Sequence, residues 1–279
     1  MPAFAQQASA DARFKQLYQQ EWAWRTGQAG VSASGEAQPN SGRLDQVDAK
    51  SQQERLDYWQ KVMRQLDAID PKALSPAQQV NYAIYREQIR NFIADQQFKQ
   101  WQMPFNSDSA FWSELDDSLG SDSLRNESDY RHYVDRLGQV PAYFDQEIAN
   151  MRAGLKRGFS VPKAVLAGRD VSIAAVADVK DPTQTSFYAP LKQMPSNIPA
   201  VTAAAIQADA RAKIEHDVIP AYQKLLAFFR TEYVPQARTT LAAEALPDGK
   251  DYYRQQIREY TTLDLDPDTI HNIGLAQVT

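Results

Sequence analysis

The residues best suited to chemistry gather near the C-terminal end. Leu246-Pro247-Asp248-Gly249-Lys250-Asp251-Tyr252-Tyr253-Arg254 is followed by Tyr260-Thr261-Thr262 and then by His271. Tyr and Thr hydroxyls together with an imidazole are groups that bind a peptide backbone or an oxyanion. Tyr252, Tyr253, Thr261, Thr262 and His271 are therefore the candidate substrate-binding residues. The competing reading is a polar loop with tyrosines packed beneath it, since most loop residues carry no function.

Elsewhere the chemistry thins out. The three histidines are His132, His216 and His271, and no two stand at i, i+3 or i+4. H-E-x-x-H, the spacing that puts two imidazoles on one helix face, does not occur. His216 sits between Glu215 and Asp217, but adjacent helix residues face different ways, so this reads as a charged surface turn. His132, in Arg131-His132-Tyr133, reads as a solvated or hydrogen-bonded helix residue. Asp264-Leu265-Asp266-Pro267-Asp268 lacks the glycine and closing glutamate of a calcium loop and reads as a helix cap. Cysteine is absent, which excludes a thiolate nucleophile, a disulfide framework and thiolate metal sites. No glycine-rich phosphate loop and no G-x-S-x-G is present. The residues themselves thus nominate no catalytic group, no metal ligand and no cofactor. Trp22, Trp24, Trp59, Trp101 and Trp112 could form a ligand platform, but aromatics at helical spacing are usually core.

The elements that must carry these residues are helices. The chain has 279 residues, 43 % hydrophobic and 23 % charged, values that exclude wholesale disorder. Its net charge of −5 argues against a nucleic-acid surface, which needs surplus Lys and Arg. No apolar run is long enough for a membrane span. Only 11 glycines are available, little turn material for a many-stranded protein. Apolar residues recur at helical spacing from Asp11 to Arg25 and from Ser51 to Leu66. After Ser75-Pro76, an N-cap followed by an N1 proline, Val80, Ile84, Tyr85, Ile89, Phe92 and Ile93 form a stripe. Ser128 caps a predicted helix running to about Lys156 and kinked at Pro141. Pro162 starts another, to about Val179. The longest pattern runs from Ser196 to about Arg238, interrupted by Pro220 and Pro235. Asp248-Gly249 turns into Tyr252–Tyr260, and Asp266-Pro267 opens a last helix. Gly27 to Gly42 is a Gly/Ser/Pro/Asn-rich loop. Ala3-Phe4-Ala5 matches a signal-peptidase cleavage site. Residues 1–7 are thus expected to be the end of a signal peptide and 8–279 one helical domain, cut short at its C-terminus because the last helix has no stop signal.

Several blocks follow one another in a specific order and spacing. They are Val218-Ile219-Pro220-Ala221-Tyr222, Glu232-Tyr233-Val234-Pro235-Gln236-Ala237-Arg238, Leu246-Pro247-Asp248-Gly249 before Tyr252-Tyr253, Thr261-Thr262, and Ile270-His271-Asn272-Ile273-Gly274. With Leu137 to Gln146, Asn150 to Gly154 and, more loosely, Leu66 to Asp70, they resemble a bacterial family known as domain of unknown function 885. The resemblance implies a mostly helical, often exported protein similar to zinc metallopeptidases of the thermolysin-like helical type. It places the H-E-x-x-H helix after the block that ends here, in a C-terminal half about as long as this chain. The implied fold class is all-α, an irregular multi-helix array with long kinked helices that forms the N-terminal half of a larger metallopeptidase-like fold. Two His and a Glu would hold zinc and activate water in the full-length family. This chain lacks them and is expected to be inactive alone. Its expected partners are the missing C-terminal half and, only in the full-length form, a peptide substrate. No nucleic acid is expected, and the expected location is periplasmic or secreted. The alternative is a complete, non-catalytic helical scaffold or binding module of the bacterial envelope.

Overall fold

A computed structural model of the chain describes residues 9–29 and 42–278. The proposed cleavage site after Ala5 and most of the Gly27–Gly42 loop lie outside the described residues. Among the described residues every named element is helical, and the only β feature is an isolated bridge between Phe105 and Ala110. The described part of the chain is all-α, the class toward which its composition leans.

Two apolar clusters organise it. The first belongs to α1 (Ala10–Ala29), α2 (Ala49–Asp67) and α3 (Pro76–Phe98). Phe14, Leu17, Trp59, Val62, Leu66, Tyr82 and Ile89 fill it. Trp24 stacks on Tyr58 with ring centroids 3.7 Å apart, so this pair of aromatics serves packing. Val80 and Ile84, expected in the inner stripe of α3, are instead 60 % and 67 % exposed, because Tyr82 and Ile89 take the inward positions. The second, larger cluster belongs to α4 (Leu115–Ser118), α5 (Glu127–Leu137), α6 (Val140–Lys156), α7 (Asp170–Ala177), α8 (Ala200–Lys213), α9 (Ile219–Phe228) and α10 (Val234–Gln236). Beyond it lie α11 (Gly249–Thr261) and α12 (Pro267–Val278).

Three expectations from the sequence are corrected. The segment expected as one kinked helix over 129–156 is two helices. Pro141 falls in the first turn of α6, where its missing N–H has no intrahelical acceptor to lose. The cap of α5 is Asn126 rather than Ser128. Its side chain accepts from the Asp129 amide, and the Asp129 carboxylate accepts from the Asn126 amide. The helix expected after Pro162 is a short 3₁₀ turn, Lys163–Val165, and α7 starts only at Asp170. Gly168 at φ +78° lies between them, a left-handed conformation that a helix cannot contain.

Pro220 and Pro235 do not interrupt their helix either. From Ala200 to Gln236 the chain stays helical through two π turns, Ile214–Val218 and Phe229–Tyr233. The Ile219 amide donates to the Ile214 carbonyl and the Val234 amide to the Phe229 carbonyl, one residue wider than an α-turn. Each widened turn ends just before a proline and makes room for the ring. The same turns keep the buried face aligned. Ile206, Ala210, Ile214, Val218, Tyr222, Leu225, Phe229 and Tyr233 are all buried. That stripe needs about 3.9 residues per turn, against 3.6 for an α-helix. Two π turns, each absorbing about one residue, close the gap.

The two clusters are joined by the irregular segment 42–48, held against α6 and its N-cap. Gln139 Oε1 accepts from the Leu44 amide (3.1 Å) and its Nε2 donates to the Gly42 carbonyl (2.7 Å). Gln146 Oε1 accepts from the amides of Val47 (2.7 Å) and Asp48 (3.1 Å), and Asn150 Nδ2 donates to the Val47 carbonyl (2.7 Å). Glu147 lies among these amides, 5 % exposed. Burial pushes its carboxyl up to about 7 from an ordinary 4.5, with hydrogen bonds from Asn150 and Tyr143 opposing the shift. The native state therefore keeps a proton that the unfolded chain releases near 4.5. The stability this lends is complete below 4.5 and is lost as pH rises through about 7. Glu147→Gln is expected to gain on the parent chain by on the order of 2 kcal/mol between about pH 5 and pH 8 in urea unfolding. An unchanged difference at the two pH values would show that Glu147 is ionised in the fold.

Candidate functional site

The C-terminal blocks build a cleft of about 470 Å³. Its walls are the Ala242–Glu244 turn, one face of α11 and the first turn of α12, and its polar lining is Glu244, Lys250, Tyr253, Arg254, Asp266 and Asp268. Local sequence sets each wall. Asp248 adopts a left-handed conformation, φ 56°, as the N-cap of α11. Gly249 then presses against the preceding turn, where a Cβ would fall 2.6 Å from the Glu244 carbonyl oxygen. Any larger residue would force α11 away from that turn. At the other end Thr262, φ 60°, closes α11 by donating its amide to the Arg258 carbonyl. Asp266 Oδ1 accepts from the Asp268 amide at 2.9 Å and starts α12.

The opposite face of α11 is bolted to α3. Arg258 Nε donates to Glu87 Oε1 at 2.8 Å, and Gln255 Nε2 to Asn91 Oδ1 at 3.0 Å. The Arg258 hydrogen bond holds the Glu87 carboxyl below its ordinary range. Tyr252 wedges its ring edge-on between Phe98 (5.5 Å) and Phe159 (5.6 Å). Behind it, Asp95 is pushed up to about 7, first by burial and then by the charge of Glu259. Burial and the same two carboxyls push the Tyr252 hydroxyl up as well, so it stays protonated at neutral pH.

The five residues nominated from sequence do not form one constellation. Tyr253 lines the cleft and is 45 % exposed. Tyr252, its neighbour, points the other way into the α3 contact. Thr261 Oγ1 donates to the Ile257 carbonyl at 2.6 Å and accepts from the Leu263 amide, finishing the helix. Thr262 is the left-handed cap, and His271 is exposed on α12 outside the cleft lining. Lys250 and Arg254, in the same stretch of sequence, were not among the nominated binding residues. Their i, i+4 spacing on a helix, which puts both on one face, was the available signal.

The histidines are scattered. His132 is half-buried on α5, His216 is exposed in the first π turn and His271 is exposed on α12. Among the described residues no group of three His, Asp or Glu side chains is placed to hold a metal ion. Among the described residues the side chains present do not fit a zinc site.

Residues 25–279 match the family described as bacterial protein of unknown function (DUF885), and the chain belongs to that family. Its fold is similar to that of a solved protein from Colwellia psychrerythraea, described as "the putative lipoprotein", at a TM-score of 0.78 and 17 % identity. The alignment covers 97 % of this chain and 49 % of that one, so the chain spans about half the length of that protein. At this identity the likeness establishes the fold alone. No curated protein matches the chain.

The two adjacent tyrosines should separate cleanly on mutation. Tyr252→Ala empties a packed aromatic position and is expected to cost about 3 kcal/mol in urea unfolding. Tyr253→Ala is expected to stay within about 0.5 kcal/mol, as exposed positions do. Equal losses would mean that the cleft wall, too, is structural.

Proposed function

We propose that the chain is the N-terminal helical part of an exported zinc metallopeptidase-like protein, catalytically silent by itself. The observation that carries this reading is the state of α12. It has twelve residues and buries none of them. Ile273 is 52 % exposed and Val278 88 %, with Tyr260 (83 %) and Leu263 (54 %) exposed at the preceding corner. An isolated helix of about this length is marginal in water without a packed face. Such a face calls for a partner. The Colwellia psychrerythraea protein has about as much chain again outside the part aligned here. A C-terminal half of that kind is the occupant the reading assigns, and in it would lie the zinc-binding pair of histidines and the glutamate. An envelope location agrees with that neighbour's description as a lipoprotein. Among the described residues no helix is long and apolar enough to cross a membrane.

In this reading the part described here supplies one wall of a substrate cleft, and the missing part supplies the metal. Purified alone, the chain should bind a hydrophobic dye, carry no stoichiometric zinc by mass spectrometry and cleave no peptide. One zinc per chain would overturn the proposal. A cooperative monomer that ignores the dye would favour the self-sufficient envelope scaffold instead.

A further inference from the structure

We propose that the cleft between α11 and α12 holds a short peptide by its two charged ends. Lys250 and Arg254 take the carboxylate, and the facing carboxylates of Asp266, Asp268 and Glu244 take the ammonium. The choice of a peptide rather than another small zwitterion rests on the peptidase-like reading above. The charge pattern stands on the geometry alone.

The cleft separates its charges by wall. Lys250 and Arg254, one helical turn apart, stand on α11. Asp266 and Asp268 stand across from them at the start of α12, and Glu244 stands on the third wall. The volume of about 470 Å³ is in the range of small-ligand sites. Tyr253 adds an exposed aromatic ring to the same wall, a surface for the backbone or side chain of a small ligand.

The existing ion pairs are loose. Arg254 lies 3.9 Å from Asp266 across the cleft and 3.5 Å from Asp251 on its own helix. Both distances exceed a good charge-assisted hydrogen bond, and all three side chains are more than half exposed. A ligand carrying both charges can replace the cross-cleft pair with two closer ones. It then gives each wall the partner it lacks at hydrogen-bond distance.

Other ligand classes fit worse. A polyphosphate would meet three carboxylates. A divalent cation would meet a lysine and an arginine. An apolar ligand would have to strip water from all five charges.

The test is a titration of the isotope-labelled chain by amide NMR with dialanine, with its C-terminal amide and with its N-acetyl form. Dialanine is expected to shift the amides of residues 249–254 and 266–268 in a saturable way. Amidation and acetylation should each weaken binding about tenfold, the loss of one charge-assisted contact. Arg254→Gln should weaken dialanine binding about as much as amidation does, roughly tenfold, while leaving the rest of the spectrum in place, which shows that the fold survives. Equal affinity for dialanine and its amide, or shifts confined to other helices, would overturn the proposal. Either result leaves the zinc-peptidase reading where it stood, because that reading rests on α12. A longer protein free of zinc would sink that reading without moving the dialanine shifts.

Discussion

The large body of this protein depends on keeping one helical face dry over about seven turns, in a helix that carries two prolines. The buried stripe from Ile206 to Tyr233 is the surface on which α5, α6 and α7 pack. An uninterrupted α-helix of this length would rotate the stripe away from its partners. A proline in an α-helical interior would break it. The two π turns answer both demands at once, by widening the backbone ahead of each ring and by restoring the angular register of the buried side chains. Tyr222 and Tyr233 show how closely the arrangement is fixed. Their hydroxyls donate to the Trp112 carbonyl and accept from the Val161 amide, so each ring is also pinned at its polar end.

The spine also decides where the chain goes next. It ends at Gln236, and Arg238 ties the exit down by donating to the carbonyls of Ser160, Thr240 and Ala242. That fixes the Ala242–Glu244 turn, against which Gly249 seats α11. The ion pair and amide contacts from α11 to α3 then tie the small three-helix unit to the far end of the large body. The 42–48 segment ties it at the near end. α12 follows these supports in the chain. Ion pairs reach it and the preceding corner at Asp266 and Asp264, and no residue of it is buried.

The fold was legible where the signal is local. Scarce glycine and helical apolar spacing gave an all-α chain. Ser75-Pro76 and Asp266-Pro267 marked helix starts, because a proline in the first turn forfeits no hydrogen bond. Legibility failed where helices share one core. The apolar period carries on across Gly138 from α5 to α6, so the break between them leaves no trace in the pattern. Pro220 and Pro235 read as breakers because propensity describes α-turns and says nothing of π turns. The frequent fourth-residue spacing of the stripe was the overlooked clue. In the cleft, residue type could not tell Tyr252 from Tyr253. Their roles are set by which face of α11 meets Phe98 and Phe159, contacts 154 and 93 positions away in the chain. The Ala242–Glu244 wall is likewise visible only in three dimensions.

Whether α12 is a helix waiting for a cover is the central question about this molecule. Amide hydrogen exchange measures this directly, since protection reports the local opening free energy. In the chain alone, the amides of residues 270–278 should exchange almost as fast as an unstructured peptide. The stripe from Ile206 to Tyr233 should exchange only on global unfolding. In a longer protein that carries a C-terminal half, the same α12 amides should slow by orders of magnitude. Full protection of α12 in the chain alone would contradict the account, because the helix would then be complete without a partner.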